Sequence, residues 1–142
     1  MSRARLILIL WLVGLLFPLA WLGKYSAVYR QVFNAVFGFE WVHVLMHLAL
    51  FAGFAILLIL AFKLPVNRRA LVFALAAILF FGVLQETLQF ISQSGYSLQL
   101  LAFGGPVFDL GIDLTGGWLG WVALSRVQKN KIRIKSWYNP HR

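Results

Sequence analysis

Four long apolar stretches constrain the fold of this chain more than any other feature of its sequence. A helical bilayer span requires about 20 predominantly apolar residues. Stretches of roughly this kind run over residues 6–22, 42–62, 70–91 and 109–124. Only 12% of the 142 residues are charged, whereas soluble domains carry roughly 25%. The sequence therefore predicts an all-α fold, a four-helix transmembrane bundle with no separate soluble domain.

The basic residues indicate the orientation of these spans. Cytoplasmic connections of membrane proteins carry an excess of Lys and Arg. Placing both termini in the cytoplasm puts 11 of the 13 basic residues on that side. We therefore predict four spans with both termini cytoplasmic, a four-span domain over residues 1–125 and a basic cytoplasmic tail over 126–142. This topology also accounts for the net charge of +9, so we expect membrane lipids as partners and no nucleic acid.

The connection between the first two spans is predicted to be an amphipathic helix. Apolar side chains recur with helical spacing from Tyr25 to Phe37, while Ser26, Arg30 and Asn34 fall on the opposite face. Such a helix, with one apolar and one polar face, is typical of the membrane interface. We expect it to lie at the outer interface.

Prolines mark two boundaries. Pro18 lies near the far end of the first apolar stretch and lacks a backbone donor, so we expect a kink or an early end of the helix there. Pro65 and Asn67 lie between the second and third stretches, where they favour a tight turn. The second and third spans are therefore expected to be antiparallel neighbours.

Almost all of the residues capable of acid-base chemistry fall on the outer side of this topology. The chain has four acids, three histidines and no cysteine, and all four acids lie toward the outer side. A polar pocket is predicted from three spans, with six candidate residues: His43, His47, Glu86, Gln89, Asp109 and Asp113. Within each span the paired positions are three or four residues apart, so they share a helix face.

This pocket has two interpretations. Ionisable residues inside a membrane are expensive, and they usually mark a functional site. We expect His43 or His47 to pair with Glu86, Asp109 or Asp113, because a carboxylate fixes the tautomer of an imidazole. The pairs could equally form an interhelical clasp that binds no substrate.

The same histidines and carboxylates are the candidate ligands of a metal or a cofactor. Two histidines one turn apart with nearby carboxylates form a ligand set that zinc can use. His43 is followed by Val44, Leu45 and Met46, so the general base of the zinc-protease motif is missing. No second helix offers a facing histidine for haem or chlorophyll. The sequence therefore predicts neither a bound metal nor a cofactor.

Glycines are concentrated in the fourth stretch. Gly116, Gly117 and Gly120 follow Asp113, and the spacing of Gly116 and Gly120 allows two helices to approach closely. We expect these glycines to pack inside the bundle. Dimerisation is the alternative.

These motifs resemble those of the VanZ-like family of small membrane proteins. The specific part is Glu86, Gln89 and then Asp109, Asp113, Gly116 and Gly120, which match the family pattern Glu-x-x-Gln, a loop, and Asp-x-x-x-Asn-x-x-Gly-x-x-x-Gly. His47 takes the position of a His in the second span. The resemblance covers about 80 residues, and it implies a bacterial cytoplasmic-membrane protein connected with the cell envelope and with low-level tolerance of glycopeptide antibiotics.

The chain departs from this family pattern at several positions. Asp113 replaces the Asn, Phe51 replaces a Tyr, and His43 and Val44 replace an acid and a Lys. Gly95 lies where the family usually has an Arg. The two basic groups of the pattern are thus missing here.

Three functions remain open at this point. The first is a VanZ-like protein whose outward-facing polar pocket binds an envelope component or a lipid headgroup. The second is an accessory subunit of a larger respiratory or photosynthetic membrane complex. The third is a membrane-embedded hydrolase that uses His47 with Glu86 or Asp109 as acid and base. No Ser, Cys or Thr lies in a recognisable nucleophile motif, although Ser92, Ser94 and Ser97 lie in the adjacent loop. An enzyme is therefore not the expected class.

Overall fold

Five α-helices account for the secondary structure of the residues that the computed structural model describes, which are 2–17, 22, 25–37, 39–92 and 105–138. The helices are α1 (Arg3–Leu16), α2 (Ala27–Phe37), α3 (Glu40–Ala61), α4 (Arg68–Ser92) and α5 (Pro106–Tyr138). The described residues contain no strand, which confirms the all-α prediction. α3, α4 and α5 are long and apolar enough to cross a membrane.

The second and third predicted spans coincide with α3 and α4 to within two residues at each end. The turn between them is also as predicted. α3 ends in a Schellman motif in which the Leu64 amide donates to Ile59 O at 3.0 Å, and Lys63 adopts a left-handed conformation with φ 52°. Asn67 Oδ1 then accepts from the Ala70 amide at 3.0 Å, the side-chain cap typical of a helix N-terminus.

α1 is shorter than the predicted first span. It ends at Leu16, and Phe17 has extended backbone, which is the conformation that a following proline imposes. The early end predicted near Pro18 is thus observed, while residues 18–21 lie outside the described chain. With 14 residues α1 is about 21 Å long, less than the roughly 30 Å of a bilayer core, and it is not among the three helices able to span by themselves.

α5 is longer than the predicted fourth span. It continues without a break from Pro106 to Tyr138, and so crosses the boundary predicted at residues 125 and 126. The segment 126–138 is polar, but it contains no Gly or Pro and is rich in Lys and Arg, which are good helix formers. The basic segment therefore begins as an extension of the membrane helix.

The helices pack around α3. α1 lies antiparallel to it, since the Arg5 Nε donates to Ala61 O at 3.3 Å and the Trp11 Nε1 donates to Leu50 O at 3.0 Å. α4 is also antiparallel to α3, with Phe81 against Phe54. α5 runs parallel to α3 and shares with it the most extensive interface of the fold. The core between them contains fully buried Phe51, Phe54, Ala55, Ala74 and Ile78.

α2 lies outside this core and makes few contacts, chiefly with α3. The Ser26 side chain accepts from the Tyr29 amide at 3.2 Å and so caps its first turn. Val28, Val32 and Val36 lie one turn apart and are all exposed. The valine side of α2 is therefore exposed, whereas Tyr29 and Phe33 are half-buried.

Candidate functional site

Two histidine–aspartate pairs join α3 to α5 at the end of the fold where both helices begin. His43 Nε2 lies 2.9 Å from Asp109 Oδ1, and His47 Nδ1 lies 2.7 Å from Asp113 Oδ1. The two imidazole rings are themselves neighbours, with centroids 4.5 Å apart. Four of the six predicted pocket residues thus form one continuous polar cluster, which we call the His–Asp cluster.

The pairing follows from the matched spacing of the two helices. The histidines are four residues apart on α3 and the aspartates four residues apart on α5, so each pair of side chains lies on one face, one turn apart. Because α3 and α5 are parallel, both pairs can form in the same register.

Glycines on α5 permit the close approach that this register requires. A methyl group at Gly116 would lie 2.6 Å from Leu48 O and 3.0 Å from Leu48 Cα. At Gly120 a methyl group would meet the backbone of Ala52, and at Gly117 it would meet the Ile78 side chain. Gly116 and Gly120 therefore face α3, and Gly117 faces α4, so that in this structure all three pack within the chain.

Burial increases from the outer pair, His43 and Asp109, to the inner pair, His47 and Asp113. The His43 side chain is 34% exposed and that of Asp109 3%, whereas the side chains of His47 and Asp113 are 9% and 1% exposed. The next turn of α3 brings Phe51, which stacks on His47 at 6.3 Å and is fully buried. The polar column is thus open at His43 and closed at Phe51.

This closed end excludes a continuous path of ionisable groups through the protein. Beyond the His–Asp cluster, no ionisable residue occurs in the remainder of α3 or in residues 114–125 of α5. α4 has none between Arg69 and Glu86. Along α3 and α5 the ionisable side chains of the cluster therefore end at His47 and Asp113.

α4 also packs beside the His–Asp cluster. Gly82 lies next to the inner pair, since a methyl group there would be 3.2 Å from Asp113 Oδ2. Glu86 lies one turn further toward the helix end, is 8% exposed, and is close enough to His47 to act on it electrostatically. The adjacent Gln85 has a buried Oε1 with no hydrogen-bond partner among the described atoms.

Two predicted features lie at or beyond the limit of the described residues. Gln89 belongs to α4, but its side chain is not described. The loop over residues 93–104, which contains Ser94 and Ser97, is likewise outside the described chain. Glu40, the fourth acid, lies exposed in the first turn of α3.

Sequence reasoning missed the role of Gly82. A glycine in the middle of an apolar helix signals a close contact, but the sequence does not show which helix it faces.

The cluster contains the geometric elements of a metal site. His43, His47 and Asp109 each offer one ligand atom, and these atoms lie within 4.8 Å of one another. The sequence indicates the two histidines and the nearby carboxylates as possible ligands, but it does not show which carboxylate lies beside them. The third ligand, Asp109, comes from a different helix.

The described hydroxyl groups do not supply a nucleophile to the cluster. Thr87 and Thr115 donate to the carbonyls of Val83 and Gly111 one turn back on their own helices, each at 2.8 Å. Ser125 does the same with Trp121 O at 2.8 Å. The imidazole–carboxylate pairs resemble the base and orienting acid of a hydrolase, but among the described side chains no serine or threonine completes the set.

Comparison with known proteins adds no relative. No protein-family model matches the chain, and searches of curated proteins and of solved structures found no significant match.

Proposed function

We propose that this chain is a VanZ-like protein of the bacterial cytoplasmic membrane whose outward-facing polar pocket binds the headgroup of a lipid or of another envelope component. The observation that carries this proposal is the His–Asp cluster, which opens at His43 and closes at Phe51. A buried polar cluster of this kind is costly inside a membrane, where ionisable residues generally serve a function. The resemblance to the VanZ-like family supplies the link to the envelope.

In this proposal α1 forms part of the first membrane span, which is added to the three formed by α3, α4 and α5. It packs antiparallel along α3, and its outward face carries exposed aliphatic residues suited to lipid, including Leu6, Leu10 and Val13. The apolar sequence continues to residue 22, which is long enough to complete a span. The protein is then a four-helix transmembrane bundle.

The charges favour an outward position of the pocket. Arg5, Lys63, Arg68 and Arg126 occupy the end of the fold opposite the His–Asp cluster. Since positive residues mark the cytoplasmic side, the cluster faces outward and both termini are cytoplasmic. The exposed valine face of α2 then lies in the outer interface, where lipid covers it.

The chemistry of the pocket suggests the class of ligand. Carboxylates accept hydrogen bonds and imidazole N–H groups donate them. No Lys or Arg occurs in the parts of the three long helices near the cluster, which are α3, residues 70–92 of α4 and residues 106–125 of α5. The protein alone is therefore complementary to hydroxyl and amine groups, such as those of sugar or ethanolamine headgroups.

The topology can be tested directly because the chain has no cysteine. Single cysteines at Ser2, Ser26 and Asn130 would be treated in intact cells with a thiol reagent that does not cross the membrane. We expect labelling of Ser26→Cys alone. Labelling of Ser2→Cys or Asn130→Cys from outside would overturn the orientation.

The ligand class can be tested by native mass spectrometry of the protein released from cell membranes. We expect a retained lipid or envelope precursor in the wild type. The triple variant Glu86→Leu, Gln89→Leu and Asp113→Leu should lose it, whereas Glu40→Gln, a charge change outside the cluster, should retain it. The proposal is wrong if the triple variant inserts normally and keeps both the ligand and any tolerance of glycopeptides.

The same purification separates the alternatives. A stoichiometric protein partner retained in mild detergent would overturn this proposal and would indicate an accessory subunit of a larger membrane complex. Turnover of the retained molecule by the purified chain would favour a hydrolase with water as the nucleophile, since Thr87, Thr115 and Ser125 donate to backbone carbonyls.

A further inference from the structure

We propose that His43, His47 and Asp109 bind a divalent transition-metal ion of the zinc type, and that Asp113 orients His47 for this purpose. The proposal goes beyond headgroup binding and does not depend on it, because it rests only on the geometry and charge of the His–Asp cluster.

The donor set selects the class of metal. Two imidazoles and one carboxylate are ligands that zinc uses in sites with three protein ligands and one open position. Calcium and magnesium prefer oxygen ligands only. The chain has no cysteine, so no thiolate site competes for the same ion.

The distances are compatible with an ion between these residues. In a tetrahedral site with bonds of about 2.0 to 2.1 Å, ligand atoms are about 3.3 Å apart. His43 Nε2 and Asp109 Oδ1 are 2.9 Å apart, so replacing the hydrogen-bond proton by an ion requires them to separate only slightly. All three ligand atoms lie within 4.8 Å of one another, so shifts of about 1.5 Å or less would bring them to the spacing of a tetrahedral site.

Asp113 supplies the support that a metal-binding imidazole usually has. Histidine ligands generally donate their second N–H to a carboxylate, which fixes the tautomer and the ring orientation. His47 Nδ1 lies 2.7 Å from Asp113 Oδ1, which leaves Nε2 as the nitrogen to face an ion. The two pairs then have different roles: the outer pair supplies two ligands, and the inner pair supplies one ligand and its support.

The local charge provides a second argument. Asp109 and Asp113 are both buried, and α3, residues 70–92 of α4 and residues 106–125 of α5 contain no Lys or Arg. Burying carboxylates without a compensating positive charge is unfavourable. A divalent cation neutralises this excess, and its open position would add an oxyanion, such as a phosphate or carboxylate group, to the ligands that the pocket accepts.

The test uses the full-length protein purified in mild detergent without a polyhistidine tag, which would itself bind metal. After stripping with a chelator, reloading with Zn²⁺ and dialysis, we expect one zinc per chain by elemental analysis. Loading with Co²⁺ alone should give the intense visible absorption of a tetrahedral cobalt site. Absorption spectroscopy at the zinc edge should show two imidazole ligands.

Variants assign the ligands. His43→Ala, His47→Ala and Asp109→Ala should each abolish the cobalt spectrum, and Asp113→Asn should weaken binding by about 10- to 100-fold. The matched controls are His141→Ala, at the third histidine of the chain, and Glu40→Gln. Both controls should bind cobalt as the wild type does.

Two results would overturn the proposal. One is a wild-type protein that retains no stoichiometric metal and gives no tetrahedral cobalt spectrum, a result that requires no variant to fold. The other is binding that survives both His43→Ala and His47→Ala. Headgroup retention is measured separately on the chelator-stripped protein, so a failure of the metal site is distinguishable from a failure of the proposed function.

Discussion

Gly116 contacts the backbone of Leu48, the residue that follows His47, so α3 and α5 meet without an intervening side chain directly beside the inner His–Asp pair. Gly120 meets Ala52 in the same way one turn further along. These contacts fix both the spacing and the register of the two helices, and they thereby determine which histidine meets which aspartate.

We predict that Gly116→Ala and Gly120→Ala each destabilise the protein by about 1 to 3 kcal/mol, the usual cost of adding volume to a filled interface. The added methyl group meets backbone atoms, which cannot rotate away. Unfolding in mixed micelles of increasing SDS content would measure the change.

Gly111→Ala is the matched control on the same helix. A methyl group there meets nothing within 4 Å, and alanine is the better helix former by up to about 1 kcal/mol. We expect this variant to be as stable as the wild type or more stable. Equal destabilisation at Gly111 and Gly116 would contradict the close-packing argument.

A second prediction concerns the inner pair, His47 and Asp113. Replacing Asp113 alone with Leu leaves a buried imidazole without its partner, and breaking a buried pair costs about 3 to 5 kcal/mol. Replacing both residues with Leu removes the polar groups together, so most of the stability should return. A double-mutant cycle in the same unfolding assay gives the coupling free energy between His47 and Asp113.

This cycle also distinguishes the two interpretations of the cluster. A clasp that only holds helices together is dispensable once both partners are apolar. We expect the double variant to fold but to lose its ligand. Retention of ligand by the folded double variant would show that the inner pair is purely structural.

Trp11 is predicted to hold α1 on α3. Its ring lies over Gly53 and its Nε1 donates to Leu50 O. Trp11→Ala should cost about 3 kcal/mol, in the range for a large aromatic residue, and Trp11→Phe about 1 kcal/mol for the lost hydrogen bond. Val13→Ala, on the exposed face of α1, should change stability little; a loss equal to that of Trp11→Ala would contradict the assignment of faces.

Lys63 offers a stabilising substitution. Its φ of 52° is a left-handed conformation that costs an L-residue about 1 kcal/mol and costs glycine nothing. Lys63→Gly should therefore raise the free energy of unfolding by up to about 1 kcal/mol. Lys63→Ala removes the charge but keeps the unfavourable φ, so a gain of the same size in that variant would refute the backbone explanation.

The parts of the fold that the sequence predicted well depend on local signals. The ends of α3 and α4 follow from the length of the apolar runs and from the turn residues Pro65 and Asn67. The early end of α1 follows from Pro18. These features involve neighbouring residues, whose effects on the backbone are known.

The parts that could not be predicted depend on contacts between distant segments. His43 and His47 have the same four-residue spacing as Asp109 and Asp113, so the spacing alone allows more than one pairing. The choice is made by Gly116 against Leu48, a contact that the sequence does not reveal. The extension of α5 cannot be recognised from the apolar pattern, because the charge of residues 126–138 ends the apolar run without ending the helix.

The parallel arrangement of α3 and α5 has a consequence for the order in which the site is assembled during synthesis. Each histidine precedes its aspartate by 66 residues, which a ribosome translates in on the order of several seconds. α3 therefore emerges before α4 and α5 exist, and it carries the histidines of the cluster, whose side chains can enter a bilayer as neutral imidazoles. The carboxylates, which are harder to insert uncharged, arrive on the last helix, when the imidazoles that receive them are already in place.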